Sequence, residues 1–158
     1  MDVLRPGFFA QNLGDAYRDD IVQDHRIYVP AAQGRVAFID ARDIAAVAVA
    51  AFLNPAAHAG QSCTLTGQEA LTFDQVATML SAELGRPIHY EAASLLGYVR
   101  HLRRRGLPWI QILVQTFLHR GLRAGEAEAV TDTVPMLLGR PARSLTEYIH
   151  DNRELWAA

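Results

Sequence analysis

Apolar positions along the chain alternate between a strand rhythm and a helical one, and after residue 94 only the helical rhythm remains. Val36-Ala37-Phe38-Ile39 is an unbroken apolar run suited to a strand covered on both faces. Val3-Leu4, Ile27-Tyr28-Val29, Ser62 to Thr66 and Ile88-His89-Tyr90 read as further short strands, with Pro6-Gly7, Pro30 and Gly67 as their stops. Helical patterns lie between them. A polar stretch of helical character runs to about Gln23. Asp40 stands where an N-cap belongs, and Ile44, Val47, Ala48 and Ala51 follow at i, i+3, i+4 and i+7 as one apolar stripe that Asn54-Pro55 ends. Thr72 and Gln75 form a capping box. Phe73, Val76, Ala77, Leu80 and Leu84 supply that helix's buried face, and Gly85 with Pro87 closes it.

From Ser94 the pattern predicts four helices. The first reaches about Arg105 and stops at Gly106; the second starts near Pro108 and carries Ile110, Leu113, Val114 and Phe117 on one side. A short third spans about Val134 to Leu138. The last opens with a second capping box, Ser144 to Glu147, and places Leu145, Tyr148, Ile149 and Trp156 at helical spacing. This order predicts an α/β fold with a partial sheet of three to four short strands, some of them parallel, and a C-terminal helical lobe. The division falls at residues 1–90 for the α/β unit and 91–158 for the helical lobe packed on it, in a single compact domain overall. No repeat, low-complexity tract or linker interrupts the chain.

Composition narrows the picture. A chain of 158 residues forms one domain that buries about two-thirds of the surface its unfolded form exposes. A net charge of -2 gives no general attraction to nucleic acid or anionic lipid, so neither is expected as a partner. All 15 basic residues are Arg, which removes every mechanism that needs a lysine amine. Cys63 is the single cysteine and cannot form an internal disulfide. The N-terminal residues lack the pattern of a signal peptide. The longest nearly apolar run, Ile44 to Leu53, is too short for a bilayer core of roughly 30 Å. A cytoplasmic protein is therefore expected.

Candidate chemistry is sparse. The six histidines show no metal-ligand spacing, and Cys63, in mid-strand, reads as a small buried hydrophobe, so no metal site is expected. Asp40, Arg42 and Asp43 invite a catalytic reading as paired carboxylates with a cation between them. A structural reading outweighs it: an N-cap, a first-turn carboxylate favoured by the helix dipole, and an arginine tying the helix to a neighbouring loop. Arg100, Arg103, Arg104 and Arg105, with His101 among them, make the densest basic patch. A solvated helix end is the leading reading and an acidic ligand the other.

Four segments carry a resemblance: LRPGFFAQNL at Leu4 to Leu13, VAFIDARDIAAVA at Val36 to Ala48, LTGQEALTFDQVATMLSAELGRPI at Leu65 to Ile88, and VTDTVPMLLGRPARSLTEYI at Val130 to Ile149. Together they are similar to the C-terminal half of the NmrA-like family. These atypical short-chain dehydrogenase/reductase proteins include NAD(P)H-dependent quinone and dye reductases and dinucleotide-sensing regulators. The resemblance implies a Rossmann-type sheet, with NADP or NAD as the family's cofactor. It places Pro6, Gly7, Phe8 and Phe9 on the nicotinamide side with Gln11 and Asn12 nearby in the substrate cleft, and assigns no catalytic residue; Tyr98 is a further candidate for the cleft between the strand ends and the helical lobe. The bland alternative is that both Phe side chains fill a core and Asn12 caps a turn. A Tyr-x-x-x-Lys proton relay is excluded because no Lys exists. Hydride transfer to a quinone or dye by positioning of two rings is left, which disfavours carbonyl reduction.

The glycines fall at 7, 14, 34, 60, 67, 85, 97, 106, 121, 125 and 139, with no G-x-G-x-x-G or G-x-x-G-x-x-G triplet among them. Such a turn lets a pyrophosphate sit on a helix N-terminus. Its want leads to the expectation of a truncated, substrate-side half of an NAD(P)-dependent oxidoreductase, unable to hold a dinucleotide alone, with enzymatic activity left open. The alternatives are a non-catalytic oligomeric module that binds a small molecule or protein, and a repurposed cofactor-independent enzyme. A sheet bared on one side predicts a homodimer or a partner chain that covers it. A small aromatic or quinone-like molecule is the expected ligand.

Overall fold

The computed structural model describes residues 3–54 and 62–157. Pro55, expected to follow the end of a helix, and His58 and Gly60 lie outside these. The strands are β1 (Val3–Pro6), β2 (Phe8–Phe9), β3 (Arg26–Val29), β4 (Arg35–Val36), β5 (Phe38–Ile39), β6 (Ser62–Leu65), β7 (Leu71–Thr72) and β8 (His89–Ala92). The helices are α1 (Arg18–Gln23), α2 (Ala41–Leu53), α3 (Phe73–Leu84), α4 (Leu95–Arg104), α5 (Trp109–Arg123), α6 (Thr133–Leu138) and α7 (Leu145–Asp151). Short 3₁₀ turns add Ala10–Leu13 and Arg153–Trp156.

Strand pairing is mostly parallel. β1 pairs with β6, β2 with β5 and β3 with β8, all parallel, whereas β4 and β7 are antiparallel. The apolar run at 36–39, which reads as one strand in the sequence, is divided between two partners. Val36 faces Leu71 and Phe38 faces Phe8, while the Ala37 N–H between them donates to the Ala127 carbonyl at 2.9 Å. Periodicity cannot show this, because each fragment is buried whichever strand it pairs with.

The helix signals correspond to particular hydrogen bonds. Asp40 caps α2, its Oδ1 accepting the Arg42 N–H at 2.8 Å. Both capping boxes are formed, Thr72 with Gln75 and Ser144 with Glu147. Gly85 ends α3 in the left-handed conformation at φ 63°, which a side chain would strain.

The main core packs Leu13, Ile21, Ile27, Val29, Phe73, Leu80, Ile112 and Trp156 together, so it draws on the strands and on the C-terminal helices alike. Trp156 is wholly buried, and its indole N–H donates to the Leu13 carbonyl at 3.0 Å, satisfying the one polar atom its burial would otherwise strand. A second, smaller core joins Ile39, Val47, Cys63, Leu65, Val134 and Ala142. Beside it Asp43, fully buried on α2, accepts from the Arg140 guanidinium at 2.7 Å and the Arg143 N–H at 2.6 Å, and pairs with the Arg143 guanidinium. The carboxylate is thus satisfied on both oxygens, and it pins the loop before α7 to α2.

Among the described residues, apolar side chains are exposed mainly on helices, with Phe9 of β2 open as well. On β1 and β6, Arg5, Ser62 and Thr64 are exposed. α5 instead presents Trp109, Ile110, Leu113, Val114, Phe117 and Leu118 to solvent, with Phe117 73% exposed, and buries Ile112, His119 and Leu122. The side that carries Ile110, Leu113, Val114 and Phe117 is therefore the open one. Among the described residues no helix is long and apolar enough to cross a membrane.

Gly67 packs so closely on the backbone of Phe38 that a methyl group there would run into the Phe38 carbonyl oxygen. Gly67→Ala is expected to cost about 2 kcal/mol, an overpacking penalty read as a lower urea midpoint at unchanged m-value. Gly85→Asn, at a position with open space and φ 63°, is expected to cost well under half as much.

Candidate functional site

Gly7 is the hinge of the candidate site. The chain leaves β1, paired to β6, and one residue later enters β2, paired to β5. The Gly7 N–H donates to the Leu65 carbonyl at 2.8 Å, which holds the step in place at the carboxyl ends of the parallel strands. In open α/β sheets such partner changes leave a crevice outside the strand ends, the usual seat of a ligand. A cavity of about 240 Å³ lies there, lined by Gly7, Phe8, Phe117, Leu118, Gly121 and Glu126 together with Leu122 and Ala127. Its walls are apolar apart from the Glu126 carboxylate.

Phe8 is half-buried and held by two edge-on aromatic contacts, to Phe38 at 5.6 Å and to His119 at 6.4 Å between ring centres. Behind it lies a buried polar cluster. Tyr17 and His119 meet at 2.6 Å between the phenol oxygen and Nε2. His119 Nδ1 lies 2.6 Å from the Gln115 carbonyl oxygen, which can only accept, so Nδ1 carries the proton and Nε2 takes the hydrogen bond donated by Tyr17. Tyr98, with its ring 5.0 Å from His119, donates to Gln115 Oε1 at 3.1 Å. Burial pushes the Tyr17 hydroxyl well above its ordinary pKa and pushes His119 below its own, so both stay neutral near pH 7.

The sequence-derived candidates separate into three places. Gly7 and Phe8 line the cavity. Pro6 ends β1 half-buried beside it, and Phe9 turns its ring outward, 38% exposed. Tyr98 is buried and reaches the cleft only through His119. Gln11 and Asn12 bond to neighbouring segments of the chain. The Gln11 side chain accepts the Ala41 N–H at 3.1 Å and donates to Asp40 at 3.2 Å, and the Asn12 carbonyl accepts the Tyr17 N–H at 3.1 Å. Asp40 and Asp43 act as a cap and a buried ion-pair centre. Arg42 pairs with Asp40 and reaches Asp151 at 2.7 Å, and these contacts hold Asp40 below the usual carboxylate range. Among the described residues no group of three or more His, Cys, Asp or Glu is placed to hold a metal ion.

Tyr17, His119 and Glu126 are site residues that the sequence reading leaves out. One signal bears on His119: it is the polar member of the Ile112-His119-Leu122 stripe on α5. A histidine at a buried position needs partners, and two tyrosines supply its surroundings.

Comparison with known proteins places this arrangement. The model of the NmrA-like family matches residues 2–122. An NAD(P)H azoreductase of Xenophilus azovorans is 39% identical over 92% of this chain and 50% of its own length. An agroclavine dehydrogenase of Claviceps fusiformis is 33% identical over 98% of this chain and 54% of its own. Among solved structures, an NADPH-dependent quinone oxidoreductase of Escherichia coli complexed with NADPH superposes with a TM-score of 0.85 at 24% identity, over 93% of this chain and 51% of that one. A triphenylmethane reductase of Citrobacter complexed with NADP(H) gives 0.83 at 18% identity, over 93% and 51%. The α/β fold with a partial, open Rossmann-like sheet and flanking helices is therefore shared with oxidoreductases, and nicotinamide cofactors are bound by these similar proteins. The chain spans about half the length of the relatives it matches.

Two expectations are corrected by these alignments. Family likeness is not confined to a C-terminal half, since the alignments run over nearly the whole chain. The reading of a truncated substrate-side half, unable to hold a dinucleotide alone, gives way to alignment of nearly the whole of this chain with NAD(P)H oxidoreductase-like proteins. That reading extended the want of one glycine-rich loop to the entire chain.

Because burial holds the His119 pKa below its ordinary value of 6.5, the unfolded chain binds a proton before the folded one does as pH falls. Stability is therefore expected to be fully present above pH 6.5 and to decline as pH drops below it. His119→Gln is expected to flatten that part of the curve, a change measured by urea unfolding at a series of pH values. An unchanged slope in the variant would remove His119 as its source.

Proposed function

Because the chain belongs to the NmrA-like family, we propose that it serves NAD(P)H-dependent reduction of a small planar, conjugated acceptor, quinone-like or azo-like, in the cleft at Gly7. The observation that supports this best is the partner change at Gly7, where a residue without a side chain opens directly onto a fixed aromatic wall. The surroundings suit the nicotinamide end of the cofactor: Gly7 gives a flat ring access to the backbone, and Phe8 offers an apolar side. Of the residues assigned by resemblance, Gly7 and Phe8 would face the ring, with Pro6 and Phe9 framing the segment.

When bound, the nicotinamide supplies a hydride. The chain's own residues orient and enclose. Phe8 is locked by Phe38 and His119, so its ring keeps one orientation and loses little entropy when a ligand stacks on it. Phe117 and Leu118 on α5 close the outer side and exclude water. Tyr98 and Tyr17 fix His119, and through it the back of the Phe8 ring. With no lysine in the chain and both tyrosines turned inward on buried partners, acceptors that need a positioned proton donor are poorly served. Quinones and azo compounds, which take up hydride across a conjugated system, suit this site better.

In the same reading, residues 1–90 carry the strand-end wall and residues 91–158 the helices that close it. A second copy or a partner chain covers the open side of α5, whose apolar residues continue into the cleft at Phe117 and Leu118.

Reduction of a naphthoquinone or an azo dye, followed by loss of reduced-nicotinamide absorbance, is expected to fall by about tenfold or more in Gly7→Val and in Phe8→Ala, with circular dichroism unchanged. No reduction by the unsubstituted chain, or rates untouched by both substitutions, would overturn the reading. Sedimentation at micromolar concentration is expected to show a dimer that Leu113→Glu dissociates; a folded monomer would contradict the covered helix.

A further inference from the structure

A second cavity, of about 270 Å³, shares no residue with the cleft and is lined by Arg26, Tyr28, Gly97, Arg100, His101 and Arg104. Two elements build it. Arg100 and Arg104 stand one turn apart on α4, so both side chains leave the same face, and Gly97 continues that face a turn earlier. Across from them, Arg26 and Tyr28 share one side of β3, with the Arg26 guanidinium 4.6 Å above the tyrosine ring. Gly97 leaves room for the Tyr28 hydroxyl, which a methyl group would meet at 2.8 Å.

The charges around this cavity do not balance. Arg26 is paired with Glu91 at 2.6 Å and Asp24 at 3.2 Å, and His101 with Asp20 at 3.0 Å. Arg105, the next basic residue, is taken up by Asp19 and Asp20. Among the described residues no carboxylate lies within ion-pair distance of Arg100 or Arg104, so two positive charges on one wall are uncompensated. A donor is also unmet: Arg26 Nε is buried and has no hydrogen-bond partner. The helix dipole explains cations in the last turn of α4, where Arg103 lies over Trp109 at 5.1 Å. It does not explain why Arg100, mid-helix, and Arg26, from a strand, converge with Arg104 on one cavity.

We propose that this cavity is a binding site for a dianionic phosphoryl group, free or carried on a small molecule. Two unpaired guanidinium forks match the charge of a phosphate dianion and the spacing of its oxygens, whereas a carboxylate would leave one fork unmatched. The Tyr28 hydroxyl supplies a neutral donor at the rim, and the volume exceeds that of phosphate alone, leaving room for a short organic remainder. The site stands independently of the cleft, so either can fail without the other.

The test is calorimetric titration of the full chain with inorganic phosphate and, separately, with glycerol 3-phosphate, at ionic strength matched with sodium chloride. Saturable one-site binding of at least one probe is expected, weakened by about tenfold or more in Arg100→Gln/Arg104→Gln. Arg120→Gln/Arg123→Gln removes the same charge elsewhere and is expected to leave affinity unchanged. Tighter binding of the ester assigns an organic phosphate, and equal binding assigns the phosphoryl group alone; both support the site. No saturable binding of either probe, or equal weakening by the two double variants, would overturn it. Circular dichroism on each variant separates loss of the site from loss of the fold.

Discussion

The whole arrangement turns on one residue-long step in the backbone, where the chain exchanges strand partners at Gly7. Parallel strands need their hydrogen-bond ladders fed from long crossovers, so a strand that leaves one partner for another opens a gap at the exchange point. Here the gap is closed on one side by the Gly7 N–H bonded to Leu65 and bounded on the other by the Phe8 and Phe38 rings. The same event splits the 36–39 run between two ribbons and brings Ala127, from the segment after α5, onto Ala37. The helical part is thereby fastened against the strand ends, and a cavity forms between them.

What keeps that cavity shaped is a polar cluster inside an apolar core. Tyr17, His119, Gln115 and Tyr98 satisfy one another's hydrogen bonds, and each lies on a different turn or element. Burying such groups is costly unless every donor finds an acceptor, which ties α4, α5 and the segment before α1 to a single geometry. Phe8 rests on this cluster, so its orientation is inherited from contacts well behind the cleft. Asp43 plays the corresponding part in the second core: a fully buried carboxylate met by two guanidiniums and a backbone N–H fixes the loop that leads into α7.

Local signals were legible wherever a single residue's chemistry decides the outcome. Asp40, Thr72 and Ser144 each cap the helix that follows, and Gly85 and Gly106 take the positive φ that stops a helix. The α/β class and the parallel pairing could also be read. Features that depend on partners could not. The face of α5 with the better apolar spacing is the exposed one, because the fold buries the stripe that contains His119. Gln11 reads as a cleft residue until the Asp40 cap claims its side chain. The glycine inventory describes one kind of loop, and likeness over nearly the whole chain shows how little that loop says about the rest of it.

An all-arginine complement gives these observations a common cause. Lysine would offer a mobile ammonium and a titratable amine; arginine offers a rigid, permanently charged fork. The forks in this chain are spent on geometry: Arg42 spans Asp40 and Asp151, Arg140 and Arg143 close on Asp43, Arg86 reaches the Ile21 and Trp156 carbonyls, and Arg105 joins α4 to α1. Each joins elements distant in sequence, and none faces the apolar cleft. In the cleft itself the one charged side chain is the Glu126 carboxylate. Arg100 and Arg104 differ from these in projecting together, without carboxylates, beside a buried, unmet Arg26 donor. That convergence on one cavity, rather than the lack of a carboxylate alone, is what the proposed phosphoryl site rests on.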